Sequence, residues 1–267
     1  MGDTAVPFLL GALTGALGGL MGVGGGIVLV PLLVHLVHRG QHEAQGISLA
    51  FIVATSLVAA TTYYREARVD VPLACWLMLG AVPGVVLGSR IAALTPAGRL
   101  RVGFGILAIV TAVRLLLAPP GSLAGGPAAA ATTWPAAWNA VLGLVVGLLA
   151  GLLGVGGGTI LVPILVLAQR IEQHTAQGTS LLMILPVGLI GFLSYARQRR
   201  LDTRGLPSLL AGGALGAFAG ATLAHRIQAP MLSRLFALFL IGVGVQMILR
   251  RPPRPAPLAS ATSGGTA

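Results

Sequence analysis

Two glycine runs have the composition most suited to chemistry in this chain: Gly22-Val23-Gly24-Gly25-Gly26 and Gly154-Val155-Gly156-Gly157-Gly158. Glycine costs about 1 kcal/mol per position in a helix, so such a run breaks one and leaves the next helix starting on unpaired backbone N–H groups. A helix start of that kind carries roughly half a positive charge and donates hydrogen bonds, which suits an anion. Gly24, Gly25, Gly26, Gly156, Gly157 and Gly158, with Thr159 directly after the second run, are therefore candidate anion ligands. Gln45 with Ser48, and Gln177 with Ser180, sit one helical turn apart and offer amide and hydroxyl donors to the same ligand. Their bland alternative is to cap carbonyls or to join two helices.

Other chemistries lack their residues. The six acidic residues, Asp3, Glu43, Glu66, Asp70, Glu172 and Asp202, all fall outside the middles of the apolar segments, which argues against a cation site. His42 and His174 have no second His or Cys at metal spacing, so no metal is expected; protonation of the pair near neutral pH could couple transport to a proton gradient. There is no His-Glu-x-x-His, no Gly-x-Ser-x-Gly and no span-centred acid pair, so an enzyme is not expected and no catalytic residue is named. A dinucleotide fingerprint fails as well, because the last glycine of Gly22-x-Gly24 falls one position early and no βαβ pattern surrounds it. No cofactor is expected.

These residues must be held by apolar elements. Of 267 residues 55% are hydrophobic and 9% charged, far below the roughly 25% charged of a soluble domain, and the mean hydropathy is +0.91. All 17 basic residues are Arg, spread between apolar runs rather than gathered on one face, which reads as membrane-loop charge and not as a nucleic-acid surface. Segments able to cross a hydrocarbon core of about 30 Å run over 7–38, 45–64, 71–90, 98–117, 139–169, 177–196, 205–224 and 231–249. The first arms of the two broken segments, such as 7–20, and the second arms, such as 27–38, are each too short to cross comfortably. An Ala/Gly/Pro-rich linker is expected over 118–138 and a disordered tail over 251–267. The ladders Gly11/Gly15/Gly19, Gly80/Gly84/Gly88, Gly143/Gly147/Gly151 and Gly212/Gly216/Gly220 have the four-residue period of close helix packing. Cys75 excludes an intrachain disulfide and reads as an inert core thiol, while Tyr63, Tyr64 and Tyr195 beside Arg65 and Arg197 read as interfacial anchors. No basic residue precedes the first apolar run, so the front of a secretory signal is missing.

The chain is a tandem duplication. Gly22 returns as Gly154, and at the same offset Leu29-Val30-Pro31, Gln41-His42, Ala44-Gln45-Gly46, Ser48, Tyr63 and Asp70 return as Leu161-Val162-Pro163, Gln173-His174, Ala176-Gln177-Gly178, Ser180, Tyr195 and Asp202. The repeats cover 7–117 and 139–250. With these paired motifs the sequence resembles the TauE/SafE family of sulfite exporters, bacterial membrane permeases. The resemblance implies export of small oxyanions or organosulfonates. It also adds Thr179, because Gln177-Gly178-Thr179-Ser180 looks like the family's Gly-Thr-Ser, where the first half has Ile47. The expected protein is an all-α polytopic permease of the bacterial inner membrane, with a small anionic substrate, no nucleic-acid partner and an open oligomeric state. Its rival is a membrane-embedded partner or assembly subunit without a substrate of its own.

Charge orients the repeats. If each broken segment crosses once, the halves are parallel and Arg divides almost evenly between the faces. If each is re-entrant, the halves are inverted and one face collects Arg39, Arg90, Arg99, Arg101, Arg197, Arg199, Arg200, Arg204, Arg250, Arg251 and Arg254, leaving six on the other. The positive-inside rule favours the inverted arrangement with both termini cytoplasmic. In a Cys75→Ser background, cysteines placed in 121–130 and in 258–265 should then react with an impermeant thiol reagent from opposite sides of the membrane; labelling from one side would refute inversion.

Overall fold

A computed structural model describes residues 2–37, 39–92, 97–117, 134–154, 156–198 and 205–249. Ten helices follow in order: α1 (Gly2–Met21), α2 (Gly26–His35), α3 (Gln41–Arg65), α4 (Val71–Ala92), α5 (Ala97–Leu117), α6 (Ala136–Leu153), α7 (Gly158–Leu167), α8 (Gln173–Gln198), α9 (Leu206–Arg226) and α10 (Ala229–Leu249). No strand occurs among the described residues. The first five helices and the last five repeat one pattern, as the duplication requires. Seven of the ten are long and apolar enough to cross a membrane.

The glycine runs break the helices for a local reason. Gly22, Gly24 and Gly25 have φ of 71°, 72° and 79°, and Gly154, Gly156 and Gly157 have 68°, 83° and 83°, a left-handed backbone in which a Cβ is penalised. Gly22 ends α1 with the Val23 N–H bonded back to the Gly18 carbonyl at 3.0 Å, the six-to-one closure of a glycine C-cap. Each break then yields a ten-residue helix with a proline, Pro31 or Pro163, at the matching place. One expectation fails here. At 20 and 18 residues, α1 and α6 rise about 30 Å and 27 Å and are long enough to cross, because the helix extends back over Gly2-Asp3-Thr4 in one half and begins at Ala136 in the other. Only α2 and α7 are half-length.

Packing interlocks the halves. Helix α1 lies along α9 and α6 along α4, while α3 packs on α8 and α5 on α10. The four glycine ladders are the α1–α9 and α4–α6 seams: a Cβ placed on Gly15, Gly216 or Gly220 would overlap the carbonyl of Gly213, Ala12 or Ala16, and one on Gly84 or Gly147 that of Leu144 or Ala81. With no hydrophobic drive between helices in lipid, such backbone approach supplies the dispersion contact that holds them. Along the central pair Gly178 meets Tyr63, Gly188 meets Ile52 and Val53, and Gly191 meets Leu49, so the equivalent helices α3 and α8 run antiparallel.

The outside of the bundle is apolar. Leu9, Trp76, Leu79, Trp138, Leu215 and Leu238 are all exposed, as lipid-facing side chains of membrane helices are. Cys75 is exposed too, on α4, which corrects its reading as a core thiol: in a membrane helix an apolar neighbourhood in sequence does not mean the protein interior. The linker positions 118–133 and the tail from 250 lie outside the described residues.

The seams predict a contrast between glycines. Gly216→Ala should cost about 1–3 kcal/mol by overpacking. Gly242→Ala, at an exposed position of α10 with nothing within 4 Å of its Cβ position, should be neutral or slightly stabilising. Thermal unfolding in detergent checks both; equal melting temperatures would refute the seam.

Candidate functional site

The two glycine turns lie at the middle of the central pair. A Cβ on Gly24 would lie 3.2 Å from Ile52 Cγ2, and one on Gly156 would lie 3.1 Å from Ile52 Cδ1 and 3.2 Å from Ile184 Cγ2; Ile52 and Ile184 stand halfway along α3 and α8. The turns also touch one another, since a Cβ on Gly158 would lie 2.9 Å from Val23 Cα and 3.1 Å from the Gly22 oxygen. Their helices α2 and α7 begin at left-handed Gly25 and Gly157 with no side-chain cap. Two helix N-termini from different halves are thus brought together, deep among apolar side chains, with first-turn N–H groups that no side chain caps.

Polar side chains of the central helices hold the first turn. Thr55 Oγ1 donates to the Gly24 carbonyl at 2.8 Å, and Ser48 Oγ to the Gly26 carbonyl at 3.3 Å. Each turn is also braced from the opposite half. Gln177 of α8 lies against Gly22, and Gln45 of α3 lies against Gly154. The hydroxyl of Tyr63 donates to Gln177 Oε1 at 2.9 Å, and that of Tyr195 to Gln45 Oε1 at 3.3 Å. Gln45 Nε2 in turn donates to the Leu153 carbonyl at the end of α6, at 3.4 Å.

The tyrosines are what sequence reasoning missed. Tyr63 and Tyr195 were expected as interfacial anchors, but both are buried; only Tyr64 is exposed. The signal was present, since Tyr63 and Tyr195 are equivalent positions of the repeat, whereas Tyr64 has Ala196 as its counterpart. Gln45 and Gln177 are also deeper than expected. Helices α3 and α8 start at Gln41 and Gln173, so each glutamine is the fifth residue of a helix and not the mouth of a span.

Among the described residues the buried side-chain atoms without a hydrogen-bond partner include Ser56 Oγ, Thr159 Oγ1, Gln177 Nε2 and Ser180 Oγ, and, on other parts of the bundle, Gln169 Oε1, Gln173 Nε2, Thr175 Oγ1 and His225 Nε2. Ser56 Oγ lies 2.9 Å from the Cβ position of Gly24. Other predicted residues are engaged elsewhere. Thr179 Oγ1 accepts the Asp70 N–H at 3.0 Å, away from the turns. His174 is buried in the first turn of α8, its Nε2 3.1 Å from the carbonyls of Ala224 and Ile227 at the end of α9. Its Nδ1 lies 3.4 Å from Glu172, which also pairs with Arg68. The side chain of His42 lies outside the described residues. Glu43 pairs with Arg39 at 2.6 Å, and Asp70 accepts the Leu73 N–H at the start of α4, so these acids serve helix ends.

One further bond ties down the short helix α7. Gln169, just past the end of α7, donates from Nε2 to Asn139 Oδ1 near the start of α6, at 2.9 Å. The bond brings the end of α7 beside the start of α6.

Comparison with known proteins agrees with this architecture. The family described as "Sulfite exporter TauE/SafE" matches residues 7–247. The chain belongs to that family. A "Probable membrane transporter protein YunE" of Bacillus subtilis (strain 168) is 28% identical over 262 residues, covering 90% of this chain and 95% of the relative. A "Probable membrane transporter protein" of Xylella fastidiosa (strain 9a5c) is 30% identical over 243 residues, covering 90% and 93%. No solved structure matches. This TauE/SafE chain is accordingly a multi-pass membrane transporter and not an enzyme.

In this TauE/SafE protein, His174 caps the α9 carbonyls. His174→Leu should lower stability by about 1–3 kcal/mol, read as a fall in the detergent melting temperature. An unchanged melting temperature would show that those carbonyls do not depend on the imidazole.

Proposed function

We propose that this transporter is a permease for a small sulfur-containing anion, sulfite or an organosulfonate, bound between the two glycine turns. The observation that carries the reading is the meeting of two uncapped helix N-termini from opposite halves, bordered by amide and hydroxyl groups. Positive backbone dipoles in a low-dielectric setting favour an anion, and Glu43, Glu172 and Asp70 are engaged by Arg39, Arg68 and the start of α4. The family description supplies the sulfur chemistry. The transporter relatives weigh against a partner subunit without substrate.

The halves are inverted across the bacterial inner membrane in this reading, with α1–α2 and α6–α7 as re-entrant hairpins whose long first arms, α1 and α6, could reach across but return through α2 and α7 to the face they left, and with both termini cytoplasmic. The antiparallel run of α3 and α8 supports inversion, and the Gln169–Asn139 bond supports the hairpin. Alternating access then moves two helix sets past one another. Because the ladders exchange helices between halves, the sets are α1, α2, α3 and α9 against α4, α6, α7 and α8, rather than one sequence half against the other.

Counterflow of radiolabelled sulfite in proteoliposomes tests the function. The expected result is label exchange suppressed by organosulfonates and not by chloride. Absence of exchange with sulfite, sulfonates, sulfate and thiosulfate, in protein shown to be folded and inserted, would return the weight to the partner-subunit reading.

A further inference from the structure

The repeat is symmetric in sequence at its turns but not in how its polar groups are used. Gln45 uses both ends of its amide, Oε1 accepting from Tyr195 and Nε2 donating to Leu153. Gln177 uses one: Oε1 accepts from Tyr63, and Nε2, though fully buried, has no partner. Ser48 bonds the Gly26 carbonyl, whereas its equivalent Ser180 is buried and unpartnered. Two more unpartnered hydroxyls have no counterpart at all, since Ser56 is matched by Gly188 and Thr159 by Ile27.

These four groups sit on elements that meet at the turns. On α8, Gln177 and Ser180 share a face with Ile184, at spacings of three and four, and Ile184 meets Gly156 and Gly158. On α3, Ser56 lies one turn beyond Ile52, which meets Gly24 and Gly156. Thr159 follows Gly158, and Gly158 lies against Gly22 and Val23. Gln177 and Ser56 thus lie directly against the first glycine turn, and Ser180 and Thr159, like them more than nine-tenths buried, are carried by the parts of α8 and α7 that adjoin it.

We infer that the anion site is one-sided: it lies at the first glycine turn and is built from the Gln177 amide, the hydroxyls of Ser56, Thr159 and Ser180, and the α7 N-terminus. Tyr63 is a positioning residue. By donating its hydrogen bond to Gln177 Oε1 at 2.9 Å, closer than the Gly19 carbonyl at 3.3 Å, it fixes the amide so that the N–H end is the one offered to the ligand. Gln45, whose amide is spent on the α6 terminus, is a brace. The set consists of neutral donors converging from three elements, which matches an anion with three oxygens around one centre, the head of sulfite or of a sulfonate. A halide has a single centre and a planar carboxylate two oxygens, so neither engages the whole set. This inference rests on the permease reading above and narrows it.

The test uses the purified full chain, with thermal unfolding in detergent and sulfite counterflow in proteoliposomes. The probes are sulfite, methanesulfonate, acetate and chloride. In the unaltered protein, sulfite and methanesulfonate should raise the melting temperature and acetate and chloride should not. If no anion stabilises or exchanges, the permease reading itself falls. Ser56→Ala and Thr159→Val remove hydroxyls without an internal hydrogen bond, so their unliganded melting temperatures should hold while the KM for sulfite rises about tenfold or more. Tyr63→Phe should raise KM about tenfold with little change in kcat, while Tyr195→Phe should stay within about twofold. Exchange by the unaltered protein together with unchanged KM in Ser56→Ala and Thr159→Val, or equal effects of the two tyrosine changes, would overturn the one-sided site and leave the permease reading standing.

Discussion

A break in a helix inside an apolar bundle exposes N–H and C=O groups that hydrocarbon side chains cannot satisfy, and this protein makes two such breaks side by side. Much of the central architecture follows from satisfying them. Thr55 and Ser48 reach from α3 to the carbonyls of the first turn, and Gln45 reaches across from the other half to the last carbonyl of α6. The Gly22 cap closes α1 on its own backbone. What these partners leave unspent is the donor side, and a donor surplus in a low-dielectric interior is what an anion can use.

The breaks can be held in place only by a stiff frame, and glycine supplies that as well, in a different role. In the turns glycine is required by the sign of φ; in the ladders it is required by the absence of a side chain, which lets α1 lie on α9 and α6 on α4 carbonyl to Cα. Each frame therefore joins helices of different halves. The glycine turn of one half is likewise braced by a glutamine of the other, itself oriented by a buried tyrosine. Neither half holds its own turn alone.

Much of this was legible in the sequence. The duplication, the broken segments and the packing role of the ladders all rest on glycine spacing, and glycine speaks directly about backbone. The burial of Tyr63 and Tyr195 was not legible, because a tyrosine beside an arginine at a span end has the same local appearance whether it faces headgroups or reaches inward to a partner 114 or 150 positions away. Cys75 was misread for a related reason: hydropathy along a membrane helix does not distinguish the lipid face from the protein face. The length of α1 escaped because polar residues at its start mark the end of an apolar run without ending a helix. The unequal spending of Gln45 and Gln177 was hidden altogether, since the two sit in identical Ala-Gln-Gly contexts.

The exchange of helices also sets a schedule for biosynthesis. Phe8 of α1 meets Gly212 of α9, so the first seam needs a partner that the ribosome has yet to make when α1 emerges. At about 5–20 residues per second, the intervening stretch of about 200 residues takes roughly 10–40 s to synthesise. Through that interval the glycine face of α1 waits in the bilayer or against the insertion machinery, and α4 waits a shorter time for α6. The same interlock that gives the finished transporter its frame makes its first helix wait longest for its partner.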